Sequence, residues 1–233
     1  MPRDSSATKA RLLDAAFAEF AAYGIAGARV DRIAEAAGAN KRLIYAYFGN
    51  KEQLFDEVLR RAMTAGAQSV PFDVEDLPGY AGAIFDHLVA RPDLMRLRLW
   101  KLLERPSATG LEPDAFGRKA TEVADAQQRG ELAQGMEPAD LLIMVLAAAQ
   151  AWFWAAEDVG PEEVSRSWSP QRLAAHRSAV VEAARRMSEP KAGLRVAASG
   201  SRMPGVLMGH ARPAYGGSAS LKTGTCLALG RFR

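Results

Sequence analysis

Apolar residues recur every three to four positions through the first sixty residues, and glycine or asparagine interrupts them at short intervals. Leu12, Ala16 and Phe20 stand four apart with Leu13 and Phe17 beside them, which predicts a helix over residues 6–23. Asp4, Ser5 or Ser6 can cap its start, and Gly24 can end it with a left-handed C′ residue. A second helix is predicted over 30–37, with Ile33, Ala34 and Ala37 inward and Gly38 closing it. Asn40 is placed to cap a third, over 41–47, which turns Ile44 and Phe48 inward. Asn50, followed three residues on by Gln53, resembles a capping box opening a fourth helix that carries Leu54, Phe55, Val58, Leu59 and Met63.

The pattern breaks between Val70 and Gly79, where Pro71 and Pro78 stand, and then resumes. Helices are predicted near 79–90, 92–104, 113–129, 138–157 and 170–188. Proline sits at or just before nearly every start, where its missing N–H costs nothing. No alternating strand pattern competes, so the expected fold is all-α with about nine helices. Its expected parts are a three-helix head over residues 1–52, a helical body over 53–190, and a tail over 191–233. The tail has eight glycines, no acid and no sustained period, a composition that favours disorder.

Charge changes the picture only locally. The sequence pI is about 9.1, but the tail alone holds seven Lys/Arg, so within a total of +3 residues 1–190 carry −4. Residues 29–51 are different: Arg29, Arg32, Lys41, Arg42 and Lys51 face only Asp31 and Glu35, a net +3 on a compact element. That is the footprint phosphate contact requires. The longest apolar run, Leu141–Ala149, is too short to span a bilayer, so no membrane partner is expected. The N-terminus lacks an apolar signal region, so the expected location is the cytoplasm, in association with a bacterial nucleoid. Cys226 is the sole cysteine, and His87, His176 and His210 lie far apart. No metal site and no cofactor are expected.

Two short helices joined by a tight turn, the second basic, make a helix-turn-helix, whose second helix lies in the DNA major groove. In the third helix Ile44 and Phe48 form the locking face, while Lys41, Arg42, Tyr45 and Tyr47 supply the polar one. Arg or Lys reaches guanine O6 and N7; tyrosine hydroxyls reach phosphates, and their rings pack on sugars or thymine methyls. Lys51, in the first turn of the next helix, is placed for a phosphate. Taken singly each of these residues also fits an ordinary solvated surface; the joint pattern is what points to DNA.

Residues 9–59 resemble the TetR family of bacterial transcriptional regulators. The matching marks are Ala15-Ala16, Phe20, Gly24, Ile33-Ala34, Gly38, Tyr45, Phe48, Lys51 and Leu54, about a fifth of the chain. The resemblance implies a DNA-binding head on a ligand-binding body, and a homodimer on a palindromic operator in double-stranded DNA. It also implies DNA contact at Lys41, Arg42, Leu43, Tyr45, Ala46, Tyr47 and Lys51. Two departures stand out. Ala28-Arg29 replaces the usual Thr or Ser opening the second helix, so a capping hydroxyl is missing while Arg29 brings a cation near a phosphate. Leu43 and Ala46 are apolar where other members read bases, which suits methyl contact or no readout.

In the body, residues 140–156 are apolar nearly all round and must be buried on two sides. With the amphipathic 173–187 helix they suggest half of an intersubunit four-helix bundle. The expected dimer face is Leu142, Val145, Ala149, Phe153, Leu173, His176, Val180 and Ala184, with an ordinary internal core as the alternative. Leu99, Trp100, Leu103, Phe116, Met144 and Trp152 are candidates to line a pocket for a small, largely apolar inducer, again against an ordinary core. The leading expectation is a repressor released from its operator by that inducer. The rivals are an architectural or division-linked DNA-binding protein without an inducer and, remotely, a helical enzyme. Against the enzyme stands the lack of a nucleophile–base pairing, a Gly-rich phosphate loop, or paired carboxylates near a histidine.

Overall fold

The computed structural model describes residues 5–106, 113–155 and 169–190. Within them the chain is helical: α1 (Ser5–Gly27), α2 (Val30–Ala36), α3 (Lys41–Phe48), α4 (Lys51–Ser69), α5 (Leu77–Ala90), α6 (Pro92–Glu104), α7 (Pro113–Gln128), α8 (Pro138–Gln150), α9 (Trp152–Ala155) and α10 (Pro170–Ser188). The all-α expectation is met, and the proline-led starts of α6, α7, α8 and α10 fall where the sequence places them. Asp76 opens α5 two residues early, because its carboxylate accepts the Gly79 N–H at 2.8 Å. The tail over 191–233 lies outside the described residues.

Two further helix boundaries differ from the periodic reading, for local reasons. Gly24 does leave the helical region (φ 68°, ψ −174°), yet the chain coils for another turn, and the Ala28 N–H bonds the Gly24 carbonyl at 3.2 Å. The helix expected over 138–157 changes its bonding at Ala151. Backbone angles there stay helical (φ −55°, ψ −36°), but the Trp154 N–H reaches the Ala151 carbonyl, a tighter turn. Residues 156–157 lie outside the described residues.

One apolar core joins α1–α4 to the body. Leu12, Ala16, Phe20, Ile33, Ile44, Leu54, Phe55 and Val58 are packed with Leu88, Leu94, Met95 and Leu97 of α5 and α6. Phe20 and Phe55 meet edge to face with centroids 5.2 Å apart, an arrangement aromatic quadrupoles favour. A second core lies between α5, α7, α8 and α10, built on Leu77, Ala81, Val123, Leu141, Val145, Ala149, Val180 and Ala184. Between Phe85 and Trp152 a smaller cluster takes in Phe153 and Leu173, and the His176 ring lies 4.5 Å from that of Trp152.

Candidate nucleic-acid interface

The turn between α2 and α3 is closed by backbone bonds that the sequence dictates. Gly38 adopts φ 58°, its N–H bonds the Glu35 carbonyl at 3.0 Å, and the Ala39 N–H bonds the Ala34 carbonyl at 2.9 Å. This pair of bonds is a Schellman motif, which needs a left-handed residue at its centre. The side chain of Asn40 then caps α3, its Oδ1 accepting the Arg42 N–H at 2.9 Å. At the far end Asn50 Oδ1 accepts the Gln53 N–H at 2.7 Å and opens α4. Only this half of the expected capping box forms, because the Asn50 N–H is already given to the Phe48 carbonyl. α3 is thus bounded at both ends by local bonds, the Gly49 N–H closing its far end on the Tyr45 carbonyl at 3.0 Å.

Ile44 and Phe48 then fasten it to the core, both buried, each worth about 1.5–3 kcal/mol in removed apolar surface. Lys41, Arg42, Tyr45 and Ala46 form the opposite, exposed stripe; Tyr45 is 47% accessible. Leu43 and Tyr47 are half-buried against the core, and the Tyr47 ring meets Phe48 edge-on at 6.1 Å. The Lys41 ammonium is 2.8 Å from the Asp31 carboxylate, which holds the lysine above its ordinary range and is itself held below its own. Lys51 sits beside the same region but is partly occupied: its Nζ donates to the Ala28 carbonyl at 3.3 Å.

The missing hydroxyl at the start of α2 has a tertiary substitute. Glu19 of α1, only 9% accessible, accepts the Arg29 N–H at 2.8 Å and both Nε (2.8 Å) and Nη2 (2.5 Å) of Arg32. Burial pushes the Glu19 carboxyl up, but these bonds outweigh it, and the group lies below its ordinary value. Arg32 also lies over the Tyr23 ring at 4.4 Å. Glu19, Asp31 and Tyr23 were not among the residues singled out from the sequence. Glu19 carried one signal, an acid between the buried positions Ala16 and Phe20.

Two family models fit this arrangement. Residues 12–58 match the bacterial regulatory proteins of the tetR family, and residues 76–186 match the tetracyclin repressor-like C-terminal domain. The HTH-type transcriptional repressor SCO4008 of Streptomyces coelicolor is 45% identical over 151 residues, 63% of this chain and 79% of that protein. The chain belongs to the TetR family. It is a DNA-binding transcriptional regulator, and its family is one of regulators rather than enzymes. A crystal structure of SCO4942, described as a transcriptional regulator from the same organism, superposes with a TM-score of 0.67 at 38% identity, covering 78% of this chain and 98% of that one. The fold also matches a structure of SmeT with triclosan (TM-score 0.56, 21% identity, 85% of this chain and 100% of that one).

In this TetR-family regulator the residues expected to make a dimer face divide in two. Leu142, Val145, Ala149, Val180 and Ala184 are buried within the single chain, as the alternative of an ordinary internal core has it. Amphipathic spacing on α10, and half of the all-round apolar surface of α8, are used up by the chain's own core. Phe153, Leu173 and His176 are half-buried around Phe85 and Trp152. What α8, α9 and the Ala151 link between them leave exposed is Ile143, Met144, Ala147, Ala151 and Trp154. Ala175, Ser178 and Ala179 of the adjoining α10 are exposed as well.

The six expected pocket residues do not converge. Leu103, Phe116 and Met144 are exposed, at 72%, 39% and 49%, and Trp152 is packed on His176. Leu99 is half-buried, and Trp100 lies against α1, its indole N–H donating to the Ala21 carbonyl at 3.3 Å. An opening of about 330 Å³ lies elsewhere, between α1, α4 and the α5–α6 corner. Its walls are mixed: Phe17, Val58 and Leu94 on the apolar side, and Asp14, Arg61 and Arg91 on the charged one. Among the described residues no helix is long and apolar enough to cross a membrane.

Proposed function

We propose that this regulator is a repressor that binds a palindromic operator as a homodimer and is released by a small, largely apolar molecule. The observation that carries the reading is the exposed stripe Lys41, Arg42, Tyr45 and Ala46 on a helix braced by Ile44 and Phe48. Lys41 and Arg42 suit guanine edges, the Tyr45 hydroxyl and Lys51 suit phosphates, and Ala46 suits a thymine methyl. Leu43 and Tyr47 contribute from the rim, and Arg29 stands by the phosphate that α2 faces. Lys41 exchanges one exposed partner, Asp31, for DNA.

Pairing through the outward strip Ile143, Met144, Ala147, Ala151 and Trp154, with the small residues of α10 allowing close approach, sets two copies of α3 one helical turn apart. An inducer seated in the opening beside Phe17 would wedge α4 away from α1 and shift the population toward wrongly spaced heads. SCO4008, named a repressor, supports the sign of regulation. The test is footprinting on DNA upstream of the protein's own and neighbouring genes, with Tyr45→Ala alongside. A protected inverted repeat, bound at least about tenfold more weakly by the variant at unchanged melting temperature, is expected. Wild-type affinity in Tyr45→Ala would refute the assignment of α3.

A further inference from the structure

The break in α1 at Gly24 interrupts the helical ladder ahead of Ile25 and Ala26, whose N–H groups begin a new turn as at a helix start. Both are taken by one carboxylate from the other half of the molecule. Glu104, the last residue of α6, accepts the Ile25 N–H at 2.6 Å and the Ala26 N–H at 3.1 Å through Oε2. One turn earlier on the same face, Trp100 fills the space beside the glycine; a Cβ on Gly24 would lie 2.7 Å from its ring. One turn earlier again, Arg96 Nη2 donates to the Ala22 carbonyl at 3.4 Å. Residues 96, 100 and 104 therefore serve in turn the open carbonyls before the break and the open amides after it.

The segment held this way leads straight to the DNA-facing surface. Lys51 donates to the Ala28 carbonyl, and Glu19 takes the Arg29 N–H. Residues 25–29 are clasped between Glu104 on the body side and Glu19 and Lys51 on the head side. We propose that Glu104 is a positioning residue for operator binding: from α6 it sets the segment that presents Arg29 and the start of α2 to phosphate. This rests on the reading of the α2–α3 face as the DNA-binding surface. Glu104 touches no DNA itself, and its effect runs through the backbone of Ile25 and Ala26.

Sign separates this role from plain electrostatics. Removing an acid from a DNA-binding protein raises its net positive charge and by itself tightens binding. Losing a positioning carboxylate weakens it instead. The experiment uses the full chain and a DNA fragment that the wild type protects, with affinities across a salt series and thermal melting in parallel. Glu104→Ala is expected to bind roughly tenfold more weakly, with a salt slope smaller by about one because the variant neutralises one phosphate fewer. Glu104→Gln, which keeps the acceptor but not the charge, is expected to bind roughly threefold more weakly.

Glu104→Ala at wild-type or tighter affinity overturns the proposal. Should that variant fail to fold, wild-type affinity and slope in Glu104→Gln overturn it equally. Lys41→Ala in the same series keeps the two readings apart. If Lys41→Ala binds normally, the assignment of α3 has failed; if it alone is weakened, only the role of Glu104 has.

Discussion

Two glycines with positive φ differ in what surrounds them, and that difference can be measured. Gly38 (φ 58°) has open space where a Cβ would go, whereas at Gly24 (φ 68°, ψ −174°) the Cβ would lie 2.7 Å from the Trp100 ring and 2.8 Å from Glu104 Oε1. Gly38→Ala therefore carries only the left-handed penalty, about 1–2 kcal/mol. Gly24→Ala carries a backbone region that is essentially glycine-only, about 1–3 kcal/mol. Overpacking against a fixed indole adds about 1–3 kcal/mol more. The expected totals are about 1 and about 4 kcal/mol. At roughly 2–4 °C per kcal/mol for a chain of this size, the melting temperatures should differ by about 6–12 °C, Gly24→Ala the lower. Circular dichroism at 222 nm, at one fixed protein concentration, reads both midpoints. Equal destabilisation would mean that Trp100 yields freely, and the account of the α1–α6 contact would be wrong.

Two other expectations come from the body. His176 is held below its ordinary value by burial and by the nearby Arg172 guanidinium, so the folded protein keeps it neutral while the unfolded chain takes up a proton near 6.5. Its contribution is fully present above about pH 7 and is lost as pH falls through 6.5 toward the lower folded value; melting temperatures of His176→Phe should show a shallower decline over that range, and an unchanged decline would exclude His176 as its source. Ile143→Asp places a charge on the outward strip of α8 without disturbing the chain's own core, so sedimentation should find monomers whose circular dichroism is unaltered. A variant that remains dimeric would remove that strip from the interface.

The parts of the molecule legible in the sequence are those whose causes lie within a few residues. Gly38, Asn40 and Asn50 act on their immediate neighbours, and the Ile44–Phe48 spacing needs only the helical period, so α3 and its orientation could be read directly. α8 could not be oriented in the same way. Leu141 through Ala149 is apolar on every side, so periodicity does not distinguish the half packed in the core with α5, α7 and α10 (Leu141, Val145, Ala149) from the half facing outward (Ile143, Met144, Ala147). On α10 the amphipathic stripe was legible but its partner was not: Val180 and Ala184 pack within the chain's own core. Trp100 looked like a pocket residue because aromatic composition cannot tell a cavity wall from a contact with α1. Glu104 is 79 residues from the amide it accepts, a separation no local pattern spans.

These long-range contacts bear on how the proposed inducer would act on α3. Ile33 and Ile44 share one apolar core with Phe55 of α4 and with Leu94 and Leu97 of α6. A close-packed interior resists gradual deformation, so α2 and α3 cannot swing on a free hinge while α4 and α6 stay still. Any motion of α3 would then have to carry α4 or α6 with it. The opening beside Phe17 lies at the seam between α1, α4 and the α5–α6 corner, where Ala62, Ala65 and Gly66 leave α4 without bulk. Glu104 and Trp100 grip α1 at the other end of α6. An occupant at the first point that displaced α6 would strain the two hydrogen bonds at the second. The exposed face of α3 would then be unchanged in itself and still lose its register on DNA.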